Sequence, residues 1–168
     1  VVTIKSNAFS MCTSLSQITI PFSVQEIESN AFGGCTSLKE IIINPFFTNF
    51  QSNSFDNCTS LRHLIIPESV LDTEEFNFNY FEQLTQITLP SSIVTITKNS
   101  FSGFSKLCKI NLPSSLLSIN ENAFNQCSSL KEINIPESVQ FIGENAFGGC
   151  SLIEQIEVPK SVTKINDS

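Results

Sequence analysis

Hydrophobic residues recur along this chain with one fixed period. Phe occurs at positions 9, 32, 55, 78, 101, 124 and 147, which is seven times at an unbroken spacing of 23 residues. Counted from each Phe as position 0, Leu or Ile occupies position 6, and Ile, Leu or Val occupies positions 9 and 11. Pro follows at position 12 or, in the second repeat, at position 13. A unit this short cannot bury its own apolar face, so the pattern predicts repeats that stack on one another.

The pattern within each repeat predicts three segments. Alternating apolar residues at positions 9 and 11 predict a short strand that the Pro ends. Apolar residues at positions 15 and 18, such as Val24 and Ile27, predict a second short extended segment. The stretch "ENAFNQC" from Glu121 predicts one helical turn, with Glu121 and Asn122 near its cap.

These segments together predict the fold class. Strands from successive repeats should pair in parallel at a spacing of about 4.8 Å, which gives a curved sheet roughly 30 Å long. The predicted class is therefore an α/β repeat solenoid, with a parallel concave β-sheet, short second strands and helical turns on the convex side. We expect residues 1–168 to form a single solenoid of about seven 23-residue repeats, as part of a longer array whose open ends allow end-to-end self-association.

The consensus resembles a known family. Leu-x-x-Ile-x-Ile-Pro-x-Ser-Val-x-x-Ile-x-x-x-Ala-Phe-x-x-Cys is similar to the BspA-type leucine-rich repeat, and the likeness covers essentially all 168 residues. The resemblance implies a leucine-rich repeat solenoid. It also implies a protein of the cell surface or a secreted protein, of the kind by which mucosal bacteria and protozoan parasites adhere to host or partner proteins.

Charge and hydropathy exclude some classes of partner. The formal net charge is −7 and no block of Lys or Arg occurs, so we expect no nucleic-acid partner. No apolar stretch approaches the roughly 18 residues of a membrane span, so we expect no membrane insertion in this segment.

The cysteines occupy a repeated apolar position. Position 3 holds Cys12, Cys35, Cys58, Phe81, Phe104, Cys127 and Cys150. A position that accepts either Cys or Phe is typical of a core, so we expect buried, inert and reduced thiols there. Cys108 differs, because it lies at position 7 among polar residues and should be exposed.

Catalytic and metal-binding constellations are absent from the sequence pattern. Nucleophilic use of a thiol needs a base, and the chain contains a single His, His63. No second His or cluster of carboxylates completes a metal site around it. We therefore predict that the chain is not an enzyme and holds no cofactor and no metal.

Candidate binding residues lie on strand positions that point away from the core. Positions 7, 8 and 10 of the repeats form what we call the concave face, on which four basic and four acidic residues sum to zero charge. Repeats 1 to 3 stand out, because apolar residues there have a charged rim, which is the composition of a protein-binding patch. The predicted patch consists of Phe22, Lys39, Glu40, Ile42, Phe46, Arg62, His63 and Ile65. The alternative is that Ile42 and Ile65 merely favour strand pairing, and that the two Phe residues fold back onto the core.

The third repeat departs from the consensus. In "ESVLDTEEFNFNYF", residues 68–81, several apolar positions are replaced and acidic residues are added. The segment is either a local bulge on the convex side or an acidic loop for a partner or cation.

Two functional hypotheses follow from these observations. The first is a non-enzymatic protein-binding module, part of a surface or secreted adhesin that binds a host matrix or cell-surface protein through its concave face. The second is an intracellular structural scaffold within a larger assembly, because the unpaired thiols suit a reducing compartment.

Overall fold

The chain forms a solenoid of short parallel strands. The computed structural model describes residues 2–43, 49–51, 53–65 and 83–165. The predicted patch residue Phe46 and the irregular segment 68–81 lie outside these ranges. Within them the strands are β1 Val2–Ile4, β2 Gln17–Thr19, β3 Val24–Ile27, β4 Glu40–Ile42, β5 Asn49–Phe50, β6 His63–Ile65, β7 Gln86–Thr88, β8 Thr95–Ile96, β9 Lys109–Asn111, β10 Ser118–Ile119, β11 Phe141–Ile142 and β12 Lys164–Ile165.

The predicted concave sheet is present in the first five repeats. Strands β2, β4, β6, β7 and β9 pair in parallel in that order. Each residue pairs with the residue 23 positions further on, as Ile41 does with Leu64. Both of these side chains are fully buried, whereas their neighbours along the strands are at least partly exposed. The period of the sequence is thus the register of the sheet, and the alternation along each strand separates core from surface.

The concave strand predicted for repeats 6 and 7 is not formed. Residues 131–136 and 153–158 have no strand structure, and no backbone hydrogen bond joins β9 to 131–134. In residues 131–136 side-chain alternation nevertheless continues, with Ile133 buried between exposed Glu132 and Asn134, whereas Ile156 and Val158 of repeat 7 are exposed. Burial of the apolar side chains alone sets their direction, while other parts of each repeat supply the hydrogen bonds between neighbours.

The second strands predicted after the Pro are confirmed. Strands β1, β3 and β5 form one parallel sheet, and β8, β10, β11 and β12 form another. In β3, β8 and β10 the apolar residues point inward, as Ile27 and Ile119 do with no exposed surface, whereas Val2 of β1 is exposed. The core therefore lies between two layers of short strands.

The helical turns predicted on the convex side are wrong, because no helix occurs in the described parts of the chain. The return leg of repeat 5 has Asn122 and Gln126 at φ of 53° and 62°, in the left-handed region that interrupts a helix. Alternate N–H groups of this leg donate to the next repeat, as Phe124 N does to the Ala146 carbonyl at 2.8 Å. Those N–H groups are not available for intrahelical bonds, so the leg is a series of turns.

The register Phe residues form stacks inside the solenoid. The ring centroids of Phe9, Phe32 and Phe55 lie 5.1 and 5.2 Å apart in nearly parallel planes. A second stack joins Phe101, Phe124 and Phe147. Stacking at this distance is favourable beyond simple burial.

Candidate functional site

The predicted patch lies where β4 and β6 pair side by side. Ile42 pairs with Ile65 in the sheet, and both side chains are half-buried on the concave face. Lys39 and Arg62 precede these two strands, and both are exposed. Phe22 is 67% exposed just beyond β2. The structure therefore places an apolar pair at one end of the strands and two cations at the other.

The exposure of Phe22 tests the alternative that this side chain folds back onto the core. Phe22 does not fold back onto the core, because two thirds of its surface remains accessible. The two Ile residues do gain strand pairing, but they also expose apolar surface where Thr19, Thr88 and Asn111 stand on the other strands at the same position.

A chain of hydrogen bonds crosses four strands of this face. Gln17 Nε2 donates to Glu40 Oε1 at 2.9 Å, and His63 Nδ1 lies 2.8 Å from Glu40 Oε2. On its other side, His63 Nε2 lies 2.8 Å from Thr88 Oγ1. The side chains of Glu40 and His63 are 29% and 25% exposed, so this row of hydrogen bonds is accessible at the surface.

The partners determine the tautomer of His63. An ionised carboxylate only accepts hydrogen bonds, so Nδ1 must carry the proton that faces Glu40. In the neutral ring Nε2 is then an acceptor, and the Thr88 hydroxyl donates to it. The imidazole is thus held in one orientation between an acid and a hydroxyl.

Sequence reasoning did not find the outer members of this chain. The contact of Gln17 with Glu40 could have been predicted from the period, because Gln17 stands one repeat before Glu40 at the same position. Thr88 lies two positions beyond the partner of His63 on the next strand, so the contact is diagonal and no single-position comparison shows it.

A cavity opens at the other end of the face, where strand pairing stops. It has a volume of about 400 Å³ and lies between β9 and residues 132–134. Lys109, Asn111, Glu132 and Asn134 line it together with apolar Ile110 and Ile133. The mixed lining lacks a cluster of like charges or of metal ligands.

Metal binding and membrane spanning find no support in the described ranges. No three His, Cys, Asp or Glu side chains there come close enough together to hold a metal ion. Within the same ranges, no helix is long and apolar enough to cross a membrane.

The cysteines at position 3 are core residues in the inner repeats, but the predicted burial is wrong for Cys12 and incomplete for Cys150. Cys35, Cys58 and Cys127 are fully buried and all six cysteines are free, as predicted. Each of the three thiols donates to the carbonyl of a Phe 26 residues earlier, as Cys58 does to Phe32 at 3.2 Å. Cys12 is exposed and Cys150 is half-buried, each in an outermost repeat of the described ranges.

Burial keeps these thiols protonated. It raises the pKa of Cys35, and it raises the pKa of Cys58 to about 12. A protonated thiol is a poor nucleophile, so these positions are inert. Cys108 is exposed as predicted.

Comparison with known proteins gives one family and several related structures. The family model described as the BspA type leucine rich repeat region, in six copies, matches residues 2–128 and 72–168. A search of curated protein sequences finds no match to the chain.

The similar solved structures are bacterial leucine-rich repeat proteins. One from Bacteroides ovatus is 27% identical with a TM-score of 0.65, over 99% of this chain and 43% of that one. One from T. pallidum is 28% identical with a TM-score of 0.58, over 91% of this chain and 72% of that one. A leucine rich cell surface protein from Faecalibacterium prausnitzii is 28% identical with a TM-score of 0.52, over 98% of this chain and 42% of that one. The chain thus spans less than half the length of the first and third of these proteins.

Proposed function

Because this chain belongs to the BspA-type leucine-rich repeat family, we propose that it is a non-enzymatic protein-binding module whose contact surface is the concave face of repeats 1 to 3. Leucine-rich repeat proteins are generally protein-interaction modules. The observation that carries the proposal is the half-buried pair Ile42 and Ile65, which stand side by side on a face that is otherwise polar. Apolar anchors of this kind dominate the energy of protein interfaces.

The rim of the patch supports recognition of a protein. Arg62 Nη1 donates to the Leu61 carbonyl at 2.8 Å, and its side chain is exposed, so the guanidinium can reach a partner. Glu40 and His63 are already held by hydrogen bonds. Side chains ordered before binding lose less conformational entropy when the complex forms, so more of the contact energy appears as affinity.

We favour a surface or secreted adhesin as the biological setting. The similar protein from F. prausnitzii is described as a cell surface protein, which supports a surface location, and we propose a host matrix or cell-surface protein as the partner on that basis. An intracellular scaffold is the second candidate, and the six free cysteines favour it because unpaired thiols persist in reducing compartments.

The test uses the double variant Ile42→Asp with Ile65→Asp. Immobilised wild-type chain would be offered extracellular-matrix proteins and, separately, lysate of the source cell. We expect a captured partner to be lost or weakened at least about tenfold in the double variant, since two charges would be buried against its apolar surface. The matched control is Asn111→Asp with Asn134→Asp, which adds the same charge to exposed positions of the face outside the patch.

Circular dichroism separates binding from folding. Both double variants should retain the wild-type spectrum, because all four side chains lie on the exposed side of the repeats. Unfolding of the Ile variant alone would show that these residues belong to the core. Equal loss of the partner in both folded variants would show that added charge, and not the patch, weakens binding. Capture from lysate only would favour the scaffold.

A further inference from the structure

The hydrogen-bonded chain on the concave face has the arrangement of an acid, a base and a hydroxyl. We propose that Thr88 Oγ1 is a nucleophilic hydroxyl that takes up short aliphatic acyl groups from activated esters or thioesters, with His63 as its general base. The inference goes beyond the proposed binding function and does not depend on it.

The geometry around His63 carries the proposal. The distances from its two ring nitrogens to Glu40 Oε2 and Thr88 Oγ1 are both 2.8 Å. Glu40 is itself held by Gln17, so the carboxylate fixes the tautomer in which Nε2 accepts the Thr88 proton. A hydroxyl within hydrogen-bond reach of a base that a third group orients is the general signature of an activated nucleophile. Glu40 is a positioning residue in this arrangement.

The neighbours of Thr88 suit an acyl group. In the sheet Thr88 pairs with Ile65 on one side and with Asn111 on the other, each about 4.8 Å away across the strands. Ile65 and the adjacent Ile42 provide an apolar wall for a short aliphatic chain. The side-chain amide of Asn111 supplies an N–H donor on the same face for the oxygen that becomes negative during attack. Thr88 is exposed, so a donor can reach it.

The reaction is balanced without an added oxidant or reductant. Thr88 Oγ1 attacks the carbonyl carbon of the donor while its proton passes to His63 Nε2. The bond from that carbon to the leaving oxygen or sulfur then breaks, and the leaving group takes the proton from Nε2. The products are an ester on Thr88 and a free alcohol or thiol, with neutral His63 restored.

The test measures acylation of the full chain by p-nitrophenyl butyrate. Exposed thiols also react with this ester, so the reference protein carries Cys12→Ser and Cys108→Ser. Release of nitrophenolate gives the rate, and mass mapping of peptides locates the butyryl group. We expect the label on Thr88, with a rate about 10²-fold above that of the Thr88→Val variant, because a positioned base contributes at least this much.

Further variants separate a reactive site from general surface labelling. His63→Gln should lower the rate as much as Thr88→Val does. Thr19→Val, which alters an exposed Thr at the same position of β2, should leave the rate unchanged. Glu40→Ala should slow the labelling of Thr88. Glu40→Gln should label Thr88 faster than Glu40→Ala does, because the Gln carbonyl still accepts a hydrogen bond from Nδ1–H. Label found on Thr88 no more than on Thr19, or an unchanged rate in both Thr88→Val and His63→Gln, would overturn the proposal.

Discussion

The stacked Phe core predicts a large difference between two chemically identical substitutions. Phe124 is fully buried, and its ring lies 5.4 Å from that of Phe101 and 5.5 Å from that of Phe147. Phe9 has one described ring neighbour, Phe32 at 5.1 Å, and is 39% exposed. Replacing each by Ala therefore removes the same atoms from two different environments.

The expected magnitudes follow from the buried area. A buried Phe removes about 150–250 Å² from water, which at about 25 cal/mol per Å² is worth about 4–6 kcal/mol. Phe124→Ala should accordingly lower the free energy of unfolding by about 3–5 kcal/mol. Phe9 buries about six tenths of its surface, so Phe9→Ala should cost about 2–3 kcal/mol. The two variants should differ by about 1–2 kcal/mol.

Urea unfolding followed by far-ultraviolet circular dichroism measures both values. Stacked repeats can unfold in stages, so the slope of each transition should be compared as well as its midpoint. Equal destabilisation by the two variants, or a cost below about 1 kcal/mol for Phe124→Ala, would refute the view that the Phe stack carries the core.

Three further predictions concern the thiols and one glycine. Iodoacetamide should modify Cys108 in the folded chain and leave Cys58 unmodified until urea is added, as peptide mass mapping would show. The pKa of Cys58 is raised to about 12 in the folded chain, so between about pH 9 and pH 12 only the unfolded chain releases the thiol proton. In this pH range the free energy of unfolding should therefore fall by up to about 1.4 kcal/mol per pH unit, as urea titrations would show. Labelling of Cys58 in the native state would contradict the first of these statements, and stability independent of pH above 9 would contradict the second. Gly143→Ala should lower the free energy of unfolding by at least about 1–3 kcal/mol, because a Cβ there would clash with the backbone N of Glu121. A Cβ at Gly148 would meet nothing nearer than 3.3 Å, so Gly148→Ala should lie within about 1 kcal/mol of wild type in the same urea assay.

Corrections to the sequence-based predictions have physical causes in the backbone. "ENAFNQC" reads as a helical turn because its composition permits one, yet Asn122 and Gln126 adopt positive φ and alternate N–H groups bond to the next repeat. Those bonds join residues more than 20 positions apart, so a local pattern cannot show them. The same limit applies to residues 131–136, whose apolar alternation is that of a strand although no strand forms there to pair with the free side of β9.

The period of 23 by itself determined the register of the sheet, the inward direction of residues such as Ile41, and the burial of Cys35 and Cys58. These properties follow from one physical requirement, that each short repeat must bury its apolar side chains against its neighbours. Only the tertiary structure decided the contact of His63 with Thr88. That contact depends on how far a side chain reaches across to the next strand, which is a matter of rotamer and strand spacing and leaves no periodic trace in the chain.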